Sequence, residues 1–220
     1  MPKAPPLPPP TQIVLVTPLI TSAERMVAIL SPILKATPIA AVIAAVQAAD
    51  ERTGINLVKS LAGPVQAAGA ALIIDGPIDI VARGGADGHH VAHGVRQMGE
   101  AIERLKPERM VGVAGLKGRD DAMTAGESGA DYVMFGEPLP PREPGGAARL
   151  PDIATVVERV GWWAEVFEVP VVGYAPDLDA ARALARAGAD FVAVGDWILA
   201  AEDPASAIVE LAATLKGARA

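Results

Sequence analysis

Four ionisable side chains stand where apolar segments of this chain end. Asp75 closes the run ALIID, and three others lie six residues after the aspartate of a repeated Gly-Ala-Asp pattern, namely His93, Glu137 and Asp196. Carboxylates and imidazoles are the side chains that most often transfer protons in enzyme sites. We expect all four to meet at one opening, and we take Asp75, His93 and Glu137 as the catalytic candidates.

Three basic residues follow the same kind of apolar segment and offer charge to an anion. Lys117 and Arg119 come after MVGVA, and Arg142 lies in the Pro- and Gly-rich loop EPLPPREPGGAARL, which is long enough to serve as a lid. Arginine and lysine bind phosphate oxygens through charge-assisted hydrogen bonds. We predict that these three residues bind a phosphate group of a small molecule.

Each candidate also has a purely structural interpretation. Asp75 can cap a turn, and Arg142 can lie on the surface. Glu137 and Asp196 can be solvated residues at the rim. Lys117 is better explained as a solvated loop lysine than as a Schiff-base lysine.

The three histidines of the chain, His89, His90 and His93, fall on or beside one predicted strand. Strand alternation places His89 and His93 on one side and His90 on the other. His89 and His93 would then be about 13 Å apart along the strand, too far to share a metal ion. We expect one histidine under a helix and one facing the interior.

A repeated unit predicts the elements that position these residues. Gly85, Gly129 and Gly188 each begin Gly-Ala-Asp followed by a short, largely apolar run. The glycine suits the left-handed end of a helix, the aspartate can bond its own backbone in a turn, and the apolar run suits a strand buried on both faces. Units of this kind indicate an α/β barrel with its site at the carboxyl ends of the strands.

The whole chain divides into a short tail and one domain. Residues 1–10 are rich in proline and are predicted to be a flexible tail, whereas residues 11–220 are predicted to be a single (β/α)8 TIM barrel. Eight strands are expected: Gln12–Thr17, Ile39–Val46, Ala71–Asp75, Gly88–Ala92, Met110–Ala114, Tyr132–Phe135, Val171–Tyr174 and Phe191–Val194.

Composition limits the partners. The net charge of −7 argues against nucleic acid, while a phosphorylated small molecule needs only a few local donors. No apolar run is long enough to span a membrane, and the absence of cysteine suits a reducing compartment, so we expect a cytoplasmic protein. Trp162 and Trp163 on one outer helix leave a homo-oligomer open, with one ring in the core and the other exposed.

Beyond the tail, nearly the whole chain resembles the thiamine phosphate synthase family and its relatives, the thiazole tautomerases. VLVTP is similar to the opening strand, and ALIIDGPIDIVARGGADGHHVAHG to the block from the third strand to the fourth. MVGVAGLKGRDDAMTAGESGADYVMFGEP is similar to the block of the fifth and sixth strands. VPVVGYAPDLDAARALARAGADFVAVGDWI is similar to the closing block, which holds the phosphate site.

The resemblance implies a small β/α barrel that joins a pyrimidine diphosphate to a thiazole phosphate. Pyrophosphate is released with the help of Mg²⁺, through a cationic pyrimidine fragment. At matching positions the resemblance implies that Asp75 holds the metal. It also implies phosphate binding by the closing block through Gly173, Gly195 and Asp196.

Several positions depart from the family pattern. Ala40–Val46 lacks the ionisable set of the family's second strand, and the metal-binding aspartate after strand four falls near Val95. Pro176 has no N–H to give a phosphate, and Leu116 stands where a tautomerase has its working histidine. Asp196 replaces a serine and repels a phosphate, by about 4 kcal/mol for unit charges 4 Å apart near a protein surface.

These departures leave alternatives to synthase activity. One is a barrel of the same family that has lost the reaction and binds a small molecule in a regulatory role, or acts on another phosphorylated substrate. A further alternative, a sugar-phosphate epimerase or aldolase, rests on fold analogy alone.

Overall fold

Eight parallel strands close into a barrel in this computed structural model, which describes residues 9–138 and 149–218. Each strand pairs with the next one along the chain, and β8 pairs with β1 to complete the ring. The predicted (β/α)8 TIM barrel is therefore confirmed. The strands are Gln12–Val16 (β1), Ala41–Ala45 (β2), Ala71–Asp75 (β3), Gly88–Val91 (β4), Met110–Val113 (β5), Tyr132–Phe135 (β6), Val171–Tyr174 (β7) and Phe191–Val194 (β8).

Helices follow the strands and cover the outside of the barrel. Five of the described helices begin at a side chain that accepts a backbone N–H from the first turn: Ser22, Asp50, Asp152, Asp177 and Asp203. None of the described helices has the length and apolar character needed to cross a bilayer. The helices are Ala23–Ala36 (α1), Glu51–Ala67 (α2), Asp79–Gly84 (α3), Met98–Leu105 (α4), Arg119–Glu127 (α5), Ile153–Val166 (α6), Leu178–Arg186 (α7), Asp196–Leu199 (α8) and Pro204–Ala218 (α9).

The Gly-Ala-Asp units build the foot of the barrel, opposite the strand carboxyl ends. Their glycines have positive φ angles of 80°, 93° and 102° at Gly85, Gly129 and Gly188, as predicted for residues between a helix and a strand. The aspartates differ from the prediction, because each bonds a neighbouring strand rather than its own turn. Each carboxylate accepts an N–H near the start of the preceding strand: Asp87 from Leu72 (2.7 Å), Asp131 from Val111 (2.7 Å) and Asp190 from Val171 (2.9 Å).

Two apolar clusters hold the fold together. The larger lies between the strands and the helices and includes Trp163, which is fully buried and donates its indole N–H to the carbonyl of Val169 at 2.7 Å. Its neighbour Trp162 is half-buried, in line with the prediction that the two rings differ in exposure. The smaller cluster fills the barrel interior with Ile43, Met134 and other residues that point inward.

The predicted boundaries are right for β3, β6, β7 and β8. The other four strands, β1, β2, β4 and β5, are shorter than predicted. Helix α2 begins at Glu51, because the carboxylate of Asp50 accepts the N–H of Thr53 at 2.8 Å. The one-turn helix α8 was not predicted. The proposed tail lies outside the described residues apart from Pro9 and Pro10, and so does Arg142.

Candidate functional site

One cavity of about 830 Å³ opens at the carboxyl ends of the strands. This is the end at which β/α barrels carry their active sites. Apolar side chains and acidic and basic groups share its wall. The lining residues are Val16, Ile43, Asp75, His90, Ala92, His93, Gly115, Leu116, Lys117, Met134, Phe135, Gly136, Glu137, Pro138, Arg149, Pro151, Thr155, Val156 and Arg159.

Asp75 ends β3 and presents its side chain to this cavity. Its backbone carbonyl accepts the N–H of Val46 at 2.8 Å, which fixes the strand end against β2. Burial raises the pKa of the Asp75 carboxyl, and nearby His93 acts in the opposite direction. A carboxyl shifted in this way inside a cavity is suited to proton transfer or cation binding.

His93 reaches the cavity by a route that strand alternation did not predict. Strand β4 ends at Val91, and the chain then turns, so His93 is not on the side of His89. His93 instead lines the cavity together with His90. The expectation that His89 and His93 share a side is therefore wrong, because the alternation of a strand stops where the strand stops.

His90 was not chosen from the sequence as a site residue, yet it forms part of the cavity floor. Its Nδ1 lies 2.8 Å from the hydroxyl of Tyr132, and the two rings are stacked with centroids 5.9 Å apart. Burial lowers the pKa of His90 to about 3, so the imidazole is neutral. His89 lies on the other side of the strand, with Nδ1 2.9 Å from the carbonyl of Ile74. One buried histidine faces outward and one inward, as expected.

Glu137 follows β6 and lines the same cavity. Its Oε1 accepts the backbone N–H of Gly115 at 2.5 Å. Its Oε2 is buried and has no hydrogen-bond partner within the described parts of the chain. Burial raises the pKa of the Glu137 carboxyl, against the smaller opposing effects of the Gly115 N–H, of the N–H of Glu137 itself and of Arg159. The alternative interpretation of Glu137 as a solvated residue at the rim is therefore wrong.

The two described cations that were predicted to bind phosphate lie in different places. Lys117 lines the cavity. Arg119 does not; it forms an ion pair with Glu158 at 3.1 Å and lies over the ring of Trp162, 4.8 Å from its centroid. Its guanidinium is thus engaged by helix α6, on the outside of the barrel.

Two further arginines line the cavity and were missed by sequence reasoning. Arg149 precedes α6, and Arg159 lies within it. Arg159 donates to the carbonyls of Leu116 and Lys117 at 3.3 and 3.2 Å, so it braces the loop after β5. Sequence spacing gives no sign of this contact, because Arg159 is distant in the chain from the loop that it reaches.

The carboxyl ends of β7 and β8 form a corner of the mouth where phosphate binding was expected. A Cβ on Gly173 would lie 2.8 Å from Leu184, so this glycine allows β7 to pack against α7. A Cβ on Gly195 would lie 2.8 Å from the Tyr174 hydroxyl. Asp196 begins α8 and is exposed; burial first, and then the charge of Asp196, raise the pKa of Tyr174. A tyrosine and a carboxylate thus occupy this corner.

The cavity offers two carboxylates for a metal, Asp75 and Glu137. Within residues 9–138 and 149–218, no group of three histidine, cysteine, aspartate or glutamate side chains is placed to hold an ion. Mg²⁺ is commonly bound by one or two carboxylates together with the phosphates of a substrate. The buried, unpartnered Oε2 and the Asp75 carboxyl fit that mode of binding.

Comparison with known proteins agrees with this architecture. The sequence model of a family described as "Thiamine monophosphate synthase" matches residues 13–198. The chain is 34% identical to the thiamine-phosphate synthase of Rhodospirillum centenum over 92% of its own length and 97% of the relative. For the thiamine-phosphate synthase of Erythrobacter litoralis the identity is 33%, over 73% of this chain and 75% of the relative.

Solved structures show the same fold. Thiamine phosphate pyrophosphorylase from Pyrococcus furiosus superposes with a TM-score of 0.76 at 22% identity, covering 94% of this chain and 96% of that one. A 3-hexulose-6-phosphate synthase superposes with a TM-score of 0.68 at 19% identity, covering 91% and 98%. At these identities the likeness concerns the barrel alone.

Proposed function

This chain belongs to the thiamine monophosphate synthase family, and we propose on that premise that it joins a pyrimidine diphosphate to a thiazole phosphate. The bond between the pyrimidine methylene carbon and the diphosphate oxygen breaks, and its electron pair leaves with pyrophosphate. The lone pair of the thiazole nitrogen forms the new C–N bond. No proton is gained or lost in this exchange.

The observation that carries the proposal is the division of the cavity wall by chemical character. Val16, Ile43 and Met134 provide apolar surface against which an aromatic ring can pack. Charged groups follow at the ends of β3, β5 and β6 and on α6. A ligand with an aromatic ring and a strongly anionic group suits this wall.

The basic side of the cavity is the proposed place for the diphosphate. Lys117, Arg149 and Arg159 all line the cavity, and Arg159 donates to the carbonyl of Lys117 at 3.2 Å because the loop after β5 and helix α6 are neighbours in the barrel. Their charges stabilise the leaving group as the C–O bond breaks. Arg119, Gly173, Gly195 and Asp196 do not line this cavity, and phosphate binding by them stays a prediction.

The acidic side of the cavity is the proposed place for the metal and for the cationic pyrimidine fragment. Asp75 ends β3, across the barrel from α6, and would hold Mg²⁺ with the substrate's phosphates. When bound, Mg²⁺ neutralises charge on the diphosphate. The carboxylate of Asp75 would place negative charge near the methylene carbon that becomes positive, and that of Glu137 would do so from the side of Arg159.

A direct assay tests the proposal. Purified protein, both substrates and Mg²⁺ should give thiamine phosphate and pyrophosphate in equal amounts, measured by chromatography and by a coupled phosphate assay. Lys117→Gln should raise KM for the diphosphate by about 10-fold. Glu202→Gln, an exposed residue outside the cavity, should leave both constants unchanged.

The same assay addresses the alternative of a family member without the reaction. That alternative is motivated by the corner at Tyr174 and Asp196, whereas the match with named synthases along most of the chain favours the reaction. A wild-type protein that binds the substrates and forms no product would overturn the proposal. A cytoplasmic location, the absence of nucleic-acid or membrane partners and a homo-oligomer stay predictions.

A further inference from the structure

Three residues in register across neighbouring strands form a polar contact at the floor of the cavity. His90 on β4 pairs with Gly112 on β5, and Gly112 pairs with Tyr132 on β6. A Cβ on Gly112 would lie 1.9 Å from a ring carbon of Tyr132, so the tyrosine ring fills the space that a side chain would need. The ring therefore crosses β5, and its hydroxyl reaches Nδ1 of His90 at 2.8 Å.

The direction of this hydrogen bond follows from the surroundings of Tyr132. Its side chain packs among apolar residues of the barrel interior and does not line the cavity. Burial raises the pKa of Tyr132, so the hydroxyl keeps its proton. Among the described residues, the hydroxyl has a hydrogen bond with His90 alone. If it accepted from Nδ1, its own proton would be buried and unpaired, which is costly. The hydroxyl therefore donates, and Nδ1 accepts.

The acceptor role of Nδ1 determines where the hydrogen of His90 lies. Burial lowers the pKa of His90 to about 3, so the imidazole is neutral and one of its two nitrogens carries a hydrogen. Because Nδ1 accepts, that hydrogen is on Nε2. This nitrogen has no partner and is not among the buried unpaired polar atoms of the described residues, so it is open to the cavity that His90 lines.

The preceding histidine provides an internal comparison. Nδ1 of His89 lies 2.9 Å from the backbone carbonyl of Ile74, and a carbonyl oxygen can only accept. Burial lowers the pKa of His89 as well, so its neutral ring carries the hydrogen on Nδ1. Two adjacent residues of one strand thus hold opposite tautomers, because one ring faces a carbonyl and the other a hydroxyl.

We propose that Tyr132 is a positioning residue that fixes His90 with its hydrogen on Nε2, so that the cavity floor presents a permanent, neutral hydrogen-bond donor. A ring nitrogen that already carries a hydrogen cannot act as a base. This suits a reaction in which no proton is gained or lost. That link rests on the proposed function, whereas the tautomer rests on the contacts of Tyr132 alone.

Nitrogen NMR of the isotope-labelled protein tests the tautomer without turnover. Nε2 couples to both C–H protons of the ring and Nδ1 mainly to one, so the spectrum tells the two nitrogens apart. His90 should carry its hydrogen on Nε2, and His89 should carry it on Nδ1. Tyr132→Phe should shift the Nδ1 resonance of His90, because the hydrogen bond is lost, and should leave the tautomer of His89 unchanged.

Two spectra would overturn the inference: a wild type with the hydrogen of His90 on Nδ1, or an Nδ1 resonance that Tyr132→Phe does not move. Should the phenylalanine variant not fold, the wild-type spectrum is sufficient. The two directions of the hydrogen bond give different tautomers, so that spectrum alone supports or refutes the assignment.

Steady-state kinetics tests the donor role of His90 and depends on the proposed function. In His90→Gln the amide oxygen can accept from Tyr132 while the NH₂ donates to the cavity, whereas His90→Leu can do neither. The glutamine variant should keep kcat/KM within about 10-fold of the wild type, and the leucine variant should lose about 100-fold. Equal losses would contradict a donor role. A wild type that forms no thiamine phosphate would refute the proposed function and leave the tautomer to the NMR result.

Discussion

The bond between Asp131 and the N–H of Val111 allows a quantitative test of how the Gly-Ala-Asp units hold the barrel. Asp131→Ala removes the acceptor and leaves the Val111 N–H unpaired beside a fully buried side chain. Asp131→Asn keeps an acceptor for that N–H but loses the charge that faces Lys106. Lys106→Gln removes the ion pair alone.

The magnitudes of the two interactions differ enough to be separated. An unpaired buried N–H costs about 1–3 kcal/mol. The Lys106–Asp131 pair is about one-third exposed, at 30% and 31%, and pairs of this exposure contribute about 0–1 kcal/mol. Asp131→Ala should therefore lower the free energy of unfolding by about 2–3 kcal/mol, and the other two variants by about 1 kcal/mol or less.

Urea unfolding followed by circular dichroism measures these differences, with thermal unfolding as a second reading. In a chain of this size the alanine variant should unfold about 4–12 °C below the wild type. Equal losses for Asp131→Asn and Asp131→Ala would refute the argument, because the charge and not the N–H bond would then be the source of stability. Unfolding of Lys106→Gln at the temperature of the alanine variant would lead to the same conclusion.

Three further results are expected. The kcat/KM of the wild type should decline as the solution becomes more acidic, because burial raises the pKa of the Asp75 and Glu137 carboxyls and their protonated forms lose the negative charge that faces the cationic fragment; steady-state kinetics across pH checks this. Asp196→Asn should lower KM for the thiazole phosphate at low salt, by up to about 10-fold, as steady-state kinetics will show, because one repulsive charge leaves the mouth. Gly112→Ala should unfold at a markedly lower urea concentration, since its Cβ would lie 1.9 Å from a ring carbon of Tyr132.

The barrel could be predicted because its signals are local and repeated. Each Gly-Ala-Asp unit contains its own helix stop, turn and strand start, and β7 and β8 follow as predicted. The register after Asp87 correctly predicted His93 at the opening, but its side relative to His89 could not be predicted. It depends on where β4 ends, and the turn after Val91 places it in the cavity beside His90.

The arginines that line the cavity could not be predicted from local sequence patterns, because their positions depend on tertiary contacts. Arg119 looked available after β5, but helix α6 engages it through Glu158 and Trp162. The same helix sends Arg159 into the cavity from a segment distant in the sequence. Helix packing therefore decided which arginine can serve the site, and periodicity alone does not give that packing.

Glu137 shows how a structural device and a functional group can share one side chain. Its bond to Gly115 ties the carboxyl ends of β5 and β6, as Asp131 ties their starts. If stability alone determined this residue, glutamine would serve equally well, because its amide oxygen can accept the same N–H and it carries no charge to bury. Glu137→Gln should therefore unfold within about 1 kcal/mol of the wild type, in contrast to Asp131→Ala. Retained stability together with a loss of activity would show that the carboxylate is needed for the ligand; a large loss of stability would show that it is needed for the fold.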